Sequence, residues 1–182
     1  MTLEKRKAIF LDRDGVVNRA IVKDGKPFPP SRLEELEIPE DVPQALQALK
    51  KAGFLLLVVT NQPDVSRGTQ KREMVEAIHA ALLEALPLDE IFVCYHDDGD
   101  GCSCRKPQPG LLYQATGRFR IDLSTSFMIG DRWKDVEAGR RAGCITILID
   151  HGYAEMQEDP PPDLRVHSLA EAAAWILNTR RG

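Results

Sequence analysis

The chain has 182 residues, of which 43% are hydrophobic and 29% are charged, and its formal net charge is −4. This length and composition predict one globular domain over residues 1–182, long enough to bury a core. The mild acidity argues against a nucleic-acid partner, because no basic face can neutralise many phosphates. The longest apolar run, FLLLVV at 54–59, is too short to span a membrane, and AIFL at 8–11 is too short for a signal peptide. We expect a cytoplasmic monomer.

The predicted elements alternate between strands and helices along the chain. Apolar runs predict strands at 8–11, 54–59, 91–95, 126–129 and 146–149. Helical spacing and end signals predict helices at 42–52, 69–86, 109–119, 133–142 and 169–177. Residues 19–40, rich in bends, are predicted to form a loop, and DPPPD at 159–163 a stiff connector. This alternation is typical of an α/β fold, with a parallel sheet covered by helices on both faces.

Polar side chains follow the predicted strands at the point where each strand ends. Ligands bind outside the carboxyl ends of the strands in such sheets, so these residues are candidates for chemistry. They are Asp12 and Asp14 after the first strand, Thr60, Asn61 and Gln62 after the second, Arg105 and Lys106 after the third, and Asp131 and Arg132 after the fourth. Each alone has an ordinary interpretation, as a helix cap or a solvated charge. Together they converge on one edge of the sheet.

The chemistry that this set supports is phosphoryl transfer. Three neighbouring carboxylates repel one another, and a hard divalent cation such as Mg²⁺ relieves that repulsion. One carboxylate can attack phosphorus and form an acyl-phosphate, while a second protonates the leaving oxygen and then activates water. A lysine and a hydroxyl can stabilise the charge on the transferring phosphoryl oxygens. The expected partner is therefore a small phosphorylated molecule.

A second feature is the segment VCYHDDGDGCSCRKP at 93–107, which holds three of the four cysteines. Three thiolates and one imidazole form a closed tetrahedral set, which is the mark of a structural Zn²⁺ site. The predicted ligands are Cys94, His96, Cys102 and Cys104. Thiols in a reducing compartment are more often metal ligands than disulfides, and a Gly- and Asp-rich loop is a poor place to bury them as core residues. We expect the zinc to rigidify the segment that presents Arg105 and Lys106, and Cys144 to be a core residue.

The motifs FLDRDGVVN, VVTNQ, CRKPQPG and MIGDRWKD, in this order and spacing, resemble the haloacid dehalogenase (HAD) superfamily of phosphatases. The zinc segment is similar to that of the D-glycero-D-manno-heptose 1,7-bisphosphate 7-phosphatase group, with histidinol-phosphate phosphatases close by. The resemblance implies a Rossmann-like HAD fold without a large cap domain. It also implies Asp12 as nucleophile, Asp14 as general acid/base, and Mg²⁺ held by the Asp12 carboxylate, the Asp14 backbone carbonyl and Asp131. Thr60 and Lys106 would steady the phosphoryl group.

Substrate contacts are expected from Asn61, Gln62, Arg67, Arg105 and Arg132. Arg67 is either a ligand for a second phosphate or a surface charge, and Asp135 either supports the metal site or faces solvent. We interpret His79, His151 and His167 as structural or exposed. The chain reads TNQPDVSRG at 60–68, where the heptose group usually reads TNQSG-x-x-RG, and residues 19–30 also depart from its pattern. Both stretches are expected to contact the substrate beyond its phosphate.

Other functions remain open on sequence grounds. Histidinol-phosphate phosphatase, or phosphatase activity on another small metabolite, is the nearest alternative. A phospho-acceptor switch domain also uses carboxylates and Mg²⁺, but its accepting aspartate follows a later strand, whereas Asp12 and Asp14 follow the first. A non-catalytic zinc module leaves the strand-end carboxylates unexplained.

Overall fold

The computed structural model describes residues 5–154 and 161–179. The strands are β1 Ala8–Leu11, β2 Ile21–Lys23, β3 Lys26–Phe28, β4 Leu55–Asn61, β5 Glu90–Cys94, β6 Phe127–Gly130, β7 Ile145–Ile149 and β8 Leu164–Val166. The helices are α1 Val42–Lys51, α2 Arg72–Ala85, α3 Gly110–Phe119, α4 Trp133–Ala142 and α5 Leu169–Thr179. Six strands form a parallel sheet in the order β5-β4-β1-β6-β7-β8, while β2 and β3 form a separate antiparallel pair. The predicted Rossmann-like α/β fold is confirmed.

The hydrophobic core occupies both faces of the sheet. On the central strand β1, Ile9 and Leu11 belong to one cluster, while Ala8 and Phe10 belong to the other, and all four are fully buried. Successive side chains of a strand point to opposite faces, so a continuous apolar run indicates burial on both sides. Residues of α1, α2 and α5 cover the first face, and residues of α3 and α4 cover the second. This burial fixes the ends of the strands relative to one another.

The prediction of a loop over residues 19–40 was wrong, because β2 and β3 form a hairpin there. Asp24 and Gly25 connect the two strands, with φ angles of 51° and 73°. Two central residues with positive φ are characteristic of a type I′ turn, which Asp-Gly favours strongly. The sequence IVKDGKPF therefore contained a hairpin signal that the surrounding prolines obscured.

Several element boundaries also differ from those predicted. Strand β4 extends to Asn61, so Thr60 and Asn61 lie at the end of the strand rather than after it. Helix α2 begins at Arg72 instead of Thr69, because the Thr69 N–H and hydroxyl both donate to the Asp64 carbonyl in a turn. Strand β8 was missed because it is only three residues long. Residues 159–160 of the predicted connector lie outside the described residues. Within the described ranges, no helix is long and apolar enough to cross a membrane.

Candidate active site

Three carboxylates meet at the carboxyl edge of the sheet. Asp12 follows β1, Asp131 follows β6, and Asp135 lies in the first turn of α4. One oxygen from each lies within 4.8 Å of the others, and the three residues are only 2–9% exposed. Strands β1 and β6 are hydrogen-bonded neighbours, which explains why residues 119 positions apart in the chain are adjacent here. The convergence that the sequence predicted for Asp12 and Asp131 is present, and Asp135 joins them rather than facing solvent.

Two glycines permit this close approach. Gly15 has a φ of 87°, and a Cβ atom there would lie 1.9 Å from Asp131 Oδ2. A Cβ atom on Gly130 would lie 2.1 Å from the Cβ atom of Asp135. Both contacts are far shorter than atoms tolerate, so the motifs DRDG and IGD need glycine where the strand ends and the carboxylates pack.

The Lys106 ammonium group lies among these carboxylates. Its Nζ donates to Asp12 Oδ1 at 2.7 Å and to the Val59 carbonyl at 2.8 Å, and lies 2.6 Å from Asp135 Oδ1. The residue is 2% exposed. Burial alone lowers a lysine pKa, but the charges of Asp12 and Asp135 outweigh burial here and raise the pKa of Lys106. The group is therefore a fixed cation beside the predicted nucleophile.

The three carboxylates carry more negative charge than the Lys106 ammonium group can balance. Burial, and then the charge of Asp135, raise the pKa of Asp12 to about 6, although Lys106 acts in the opposite direction. Burial and the neighbouring Asp12 raise the pKa of Asp131 well above its usual value. Both Asp131 oxygens are buried and make no hydrogen bond of ordinary geometry within the described residues, although the nearby Tyr153 hydroxyl opposes this rise in pKa. Unpaired buried oxygens beside like charges fit a hard divalent cation such as Mg²⁺, whose charge would favour the ionised carboxylates.

Asp14 lies outside this cluster of side chains and has its own hydrogen-bond donors. Its carboxylate accepts hydrogen bonds from Arg13, from Asn18 at 3.0 Å and from Gln62 at 2.8 Å. Gln62 also donates to Thr60 Oγ1 at 2.9 Å. The Gln62 amide is thus buried beneath Asp14 and Thr60 and is not among the residues that line the cleft. The side chain of Asp14, by contrast, faces the cleft and is held in one orientation.

Asn61 connects the end of β4 to the segment that carries Lys106. Its Nδ2 donates to the Lys106 carbonyl and its Oδ1 accepts from the Lys106 N–H, both at 3.0 Å. Asn61 also lines the cleft, where a substrate contact was expected. Because both hydrogen bonds are made to the backbone of Lys106, Asn61 also positions that residue.

The four predicted zinc ligands form one cluster. A donor atom from each of Cys94, His96, Cys102 and Cys104 lies within 4.8 Å of all the others. The sulfur atoms are 3.0–3.7 Å apart, and His96 Nδ1 lies 3.3 Å from the Cys104 sulfur. Burial, and then the hydrogen bond with Cys104, raise the pKa of the Cys94 thiol. Convergence of this donor set from two ends of a polar loop fits a closed metal site.

Cations from three loops line a cleft of about 580 Å³ in front of the carboxylates. Arg67, Arg105 and Arg132, which were expected to contact substrate, all lie along it. Arg67 forms two hydrogen bonds with Asp97, one of them 2.8 Å from Nε to Oδ2, and these lower the pKa of Asp97 to about 2. The loop after β4 is therefore tied to the zinc segment.

Some residues at the site were not predicted from the sequence. Arg13 is fully buried, donates to Asp14 and lies 3.1 Å from His79 Nε2. An arginine between the two aspartates offered a signal, since its guanidinium group can pair with a neighbouring carboxylate. The cleft is also lined by hairpin residues 26–29, and by Asp98, Trp133 and Lys134. The hairpin was missed because its segment was interpreted as a loop.

The remaining histidines and Cys144 lie outside both clusters. His79 is buried beneath Arg13, and burial together with that cation lowers its pKa to about 4. His151 Nε2 lies 2.7 Å from the Gly15 carbonyl, and His167 is exposed. Cys144 is 8% exposed and packs in the core, as predicted.

A Rossmann-like parallel sheet with carboxylates and a buried lysine at its carboxyl edge is the arrangement expected of a phosphoryl-transfer hydrolase. A HAD-hydrolase-like family model matches residues 103–172. D-glycero-beta-D-manno-heptose-1,7-bisphosphate 7-phosphatase from Bordetella bronchiseptica is 36% identical over 180 residues, covering 94% of this chain and 98% of the relative. The chain belongs to this HAD family of D-glycero-D-manno-heptose 1,7-bisphosphate 7-phosphatases.

Further relatives agree with this assignment. The enzyme of the same family from Thermosynechococcus vestitus is 32% identical, covering 94% of this chain and 95% of the relative. The crystal structure of D,D-heptose 1,7-bisphosphate phosphatase from B. bronchiseptica, complexed with magnesium and phosphate, has a TM-score of 0.81 and 31% identity. It covers 95% of this chain and 99% of its own. The predicted family is confirmed, whereas the roles of the individual residues remain predictions.

Proposed function

We propose that the protein is a Mg²⁺-dependent phosphatase that hydrolyses the 7-phosphate of D-glycero-D-manno-heptose 1,7-bisphosphate through an aspartyl-phosphate. The observation that supports this most is the buried Lys106 ammonium group, which contacts Asp12 and Asp135 beside the unpaired oxygens of Asp131. Family membership supports the substrate, because relatives covering nearly the whole chain have that activity in their names.

In this proposal the reaction has two displacements on phosphorus. An Asp12 oxygen attacks the phosphorus atom, the bond from phosphorus to the sugar oxygen breaks, and Asp14 protonates the leaving oxygen. Asp14 then takes a proton from water, whose oxygen attacks the same phosphorus and releases phosphate and the free Asp12 carboxylate. Lys106 and Thr60 stabilise the negative charge on the phosphoryl oxygens. Gln62 fixes the orientation of Asp14 relative to Thr60.

Two metal sites belong to the proposal. Asp12, Asp131 and the Asp14 backbone carbonyl would hold Mg²⁺, with Asp135 supporting the site through Lys106 and the Arg132 N–H. Bound Mg²⁺ would neutralise charge on the carboxylates and the phosphoryl oxygens. Cys94, His96, Cys102 and Cys104 would hold a structural Zn²⁺, which fixes the segment leading to Lys106.

We also propose that residues 1–182 act as one HAD-like domain, as a cytoplasmic monomer. The three free thiols of the candidate zinc cluster support a reducing compartment. Arg67, Arg105 and Arg132 are proposed to contact the sugar or its second phosphate. Asn61 would act mainly through Lys106, and Gln62 through Asp14, because their amides are bonded to those residues.

The test is phosphate release from a panel of substrates with Mg²⁺ present. We expect the highest kcat/KM for D-glycero-D-manno-heptose 1,7-bisphosphate, with release of the 7-phosphate alone. The panel includes the heptose 7-phosphate, histidinol phosphate and p-nitrophenyl phosphate. A higher kcat/KM for histidinol phosphate would replace the proposed substrate but keep the reaction. Absence of Mg²⁺-dependent hydrolysis of every compound would reject the enzyme itself.

A further inference from the structure

Asp98 of the zinc segment lies among the cations of the cleft. Its Oδ1 accepts a hydrogen bond of 2.8 Å from Arg105 Nε and lies 3.6 Å from Lys134 Nζ. Its Oδ2 lies 4.0 Å from Arg67 NH2. All four residues line the cleft, yet the Asp98 side chain is 66% exposed. A charged, exposed carboxylate thus lies at the point where three cations converge.

This point is close to the proposed reaction centre. Arg105 directly precedes Lys106, whose ammonium group contacts Asp12, and Lys134 directly precedes Asp135. These three cations and the carboxylates around Lys106 line the same cleft, so the cation group faces the space in front of the phosphoryl site. An anionic group on the same substrate molecule could reach it while the reacting phosphate contacts Asp12.

Arg105 has supports that do not depend on Asp98. Its side chain is only 10% exposed, and its NH1 donates to the His96 carbonyl at 3.3 Å. Asp97, the neighbouring acid, has a different position, because it pairs with Arg67 and caps the short 3₁₀ helix at 98–100. The Arg105 ion pair of Asp98 can therefore break without loss of these structural contacts.

We propose that Asp98 is a specificity-determining residue that occupies the site of the substrate's second anionic group and must leave when that group binds. This inference rests on the proposed function, and it means that Asp98 lowers the affinity for ligands with two anionic groups without changing the affinity for ligands with one. A ligand with a second phosphate or carboxylate displaces Asp98 and pairs with Arg105, Lys134 and Arg67. A ligand with one phosphate leaves Asp98 in place, and its affinity does not depend on that residue.

Binding measured without turnover tests the inference. Isothermal titration calorimetry with Mg²⁺ would compare Asp12→Asn with Asp12→Asn/Asp98→Asn, using the heptose 1,7-bisphosphate and the heptose 7-phosphate. Breaking one exposed ion pair costs little, so we expect the bisphosphate to bind about 3- to 10-fold more tightly to the double variant. Affinity for the 7-phosphate should stay the same, and the bisphosphate gain should shrink at high salt.

The sign of the effect separates the alternatives. If Asp98 merely orients Arg105, the double variant binds the bisphosphate more weakly, and that result overturns the inference. An equal gain for both ligands means a general charge effect and overturns it too, as does no change. Glu76→Gln in the same background removes an equal charge from an exposed position on α2, where it pairs with Arg72, and should change neither affinity. Hydrolysis of p-nitrophenyl phosphate by the otherwise unaltered enzyme tests the proposed function separately.

Discussion

The two candidate metal sites of this protein are built in opposite ways. The carboxylates of the first come from the ends of buried parallel strands, are at most 9% exposed, and are positioned by pairing across the whole sheet. The ligands of the second come from one segment, 94–104, which contains exposed polar residues and a short 3₁₀ helix. The fold itself rigidifies the first site, whereas the second depends on its own ligands and on the metal that they are proposed to hold. Loss of metal should therefore change the two sites differently.

The two sites meet at Lys106. Its ammonium group belongs to the carboxylate site, while its backbone follows the zinc segment directly. Asn61 bonds this backbone to the end of β4, and the Arg67–Asp97 pair forms a second connection between the same two regions. Variants that alter one region and leave the other intact can show how much each region contributes to catalysis and to stability.

The largest effect should come from Asp12→Asn. The amide keeps the shape of the side chain but removes the attacking charge, so kcat should fall by about 10³-fold or more. The zinc content should remain that of the unaltered enzyme, because the other region is untouched. The measurement is steady-state hydrolysis of the heptose bisphosphate with Mg²⁺, together with metal analysis. Near-normal turnover would show that the covalent mechanism is wrong.

Lys106→Ala should have the next largest effect. It removes the cation from between Asp12 and Asp135, and kcat should fall by about 10²- to 10³-fold. Lys50→Ala is a suitable control, since Lys50 forms an exposed pair with Asp89 far along the chain from the site. Kinetics and thermal unfolding of both variants separate loss of catalysis from loss of folding. Equal kcat in the two variants would contradict a catalytic role for Lys106.

Many residues of the two candidate metal sites could be predicted from the sequence, for physical reasons that differ between the sites. The apolar runs before Asp12 and Asp131 indicated strands, and parallel topology then placed both carboxylates at one edge. The clustering of the four candidate zinc ligands could be predicted because these residues are close in the chain. The roles of Asn61 and Gln62 could not be predicted, because the sequence does not show which neighbour an amide at a strand end will bond. Asp98 was missed for a similar reason, since pairing between loops leaves no periodic pattern.

Cys104→Ser tests whether the zinc segment positions Lys106. The unaltered protein should contain about one Zn²⁺ per chain, and the variant less, because a hydroxyl is a poorer zinc ligand than a thiolate. We expect Tm to fall and kcat to drop about 10-fold, with a higher KM, while Asp12 can still attack. Cys144→Ala, which alters the cysteine outside the cluster, should retain zinc and normal kinetics. If folded, zinc-depleted Cys104→Ser has normal kcat and KM, the segment stabilises the fold without positioning Lys106.

Asn61→Ala should weaken the connection between the end of β4 and the Lys106 backbone without removing a ligand of either candidate metal site. Two backbone hydrogen bonds to Lys106 are lost, and a net cost of about 1 kcal/mol in transition-state stabilisation corresponds to roughly 5-fold in kcat. Zinc content should be unchanged. The informative measurement is the double variant with Cys104→Ser. Effects on kcat smaller than the product of the two single effects would show that both act through Lys106, and independent effects would argue against that path.

The smallest effect concerns His79, which lies near the carboxylate site, and the way the free energy of unfolding changes with pH. Burial and the Arg13 cation hold the pKa of His79 at about 4 in the folded protein, below its usual value near 6.5. The unfolded chain therefore binds the proton first as the pH falls, so this contribution to stability is complete only well above about pH 6.5 and is lost progressively as the pH falls from about 7 towards 4. Between pH 7 and pH 6 this amounts to about 0.7 kcal/mol, which urea unfolding of zinc-saturated protein can measure. His79→Gln, which keeps an acceptor for the Arg13 guanidinium group but cannot titrate, should remove that part of the slope. An unchanged slope would assign the acid sensitivity to the zinc segment, whose ligands also bind protons at low pH.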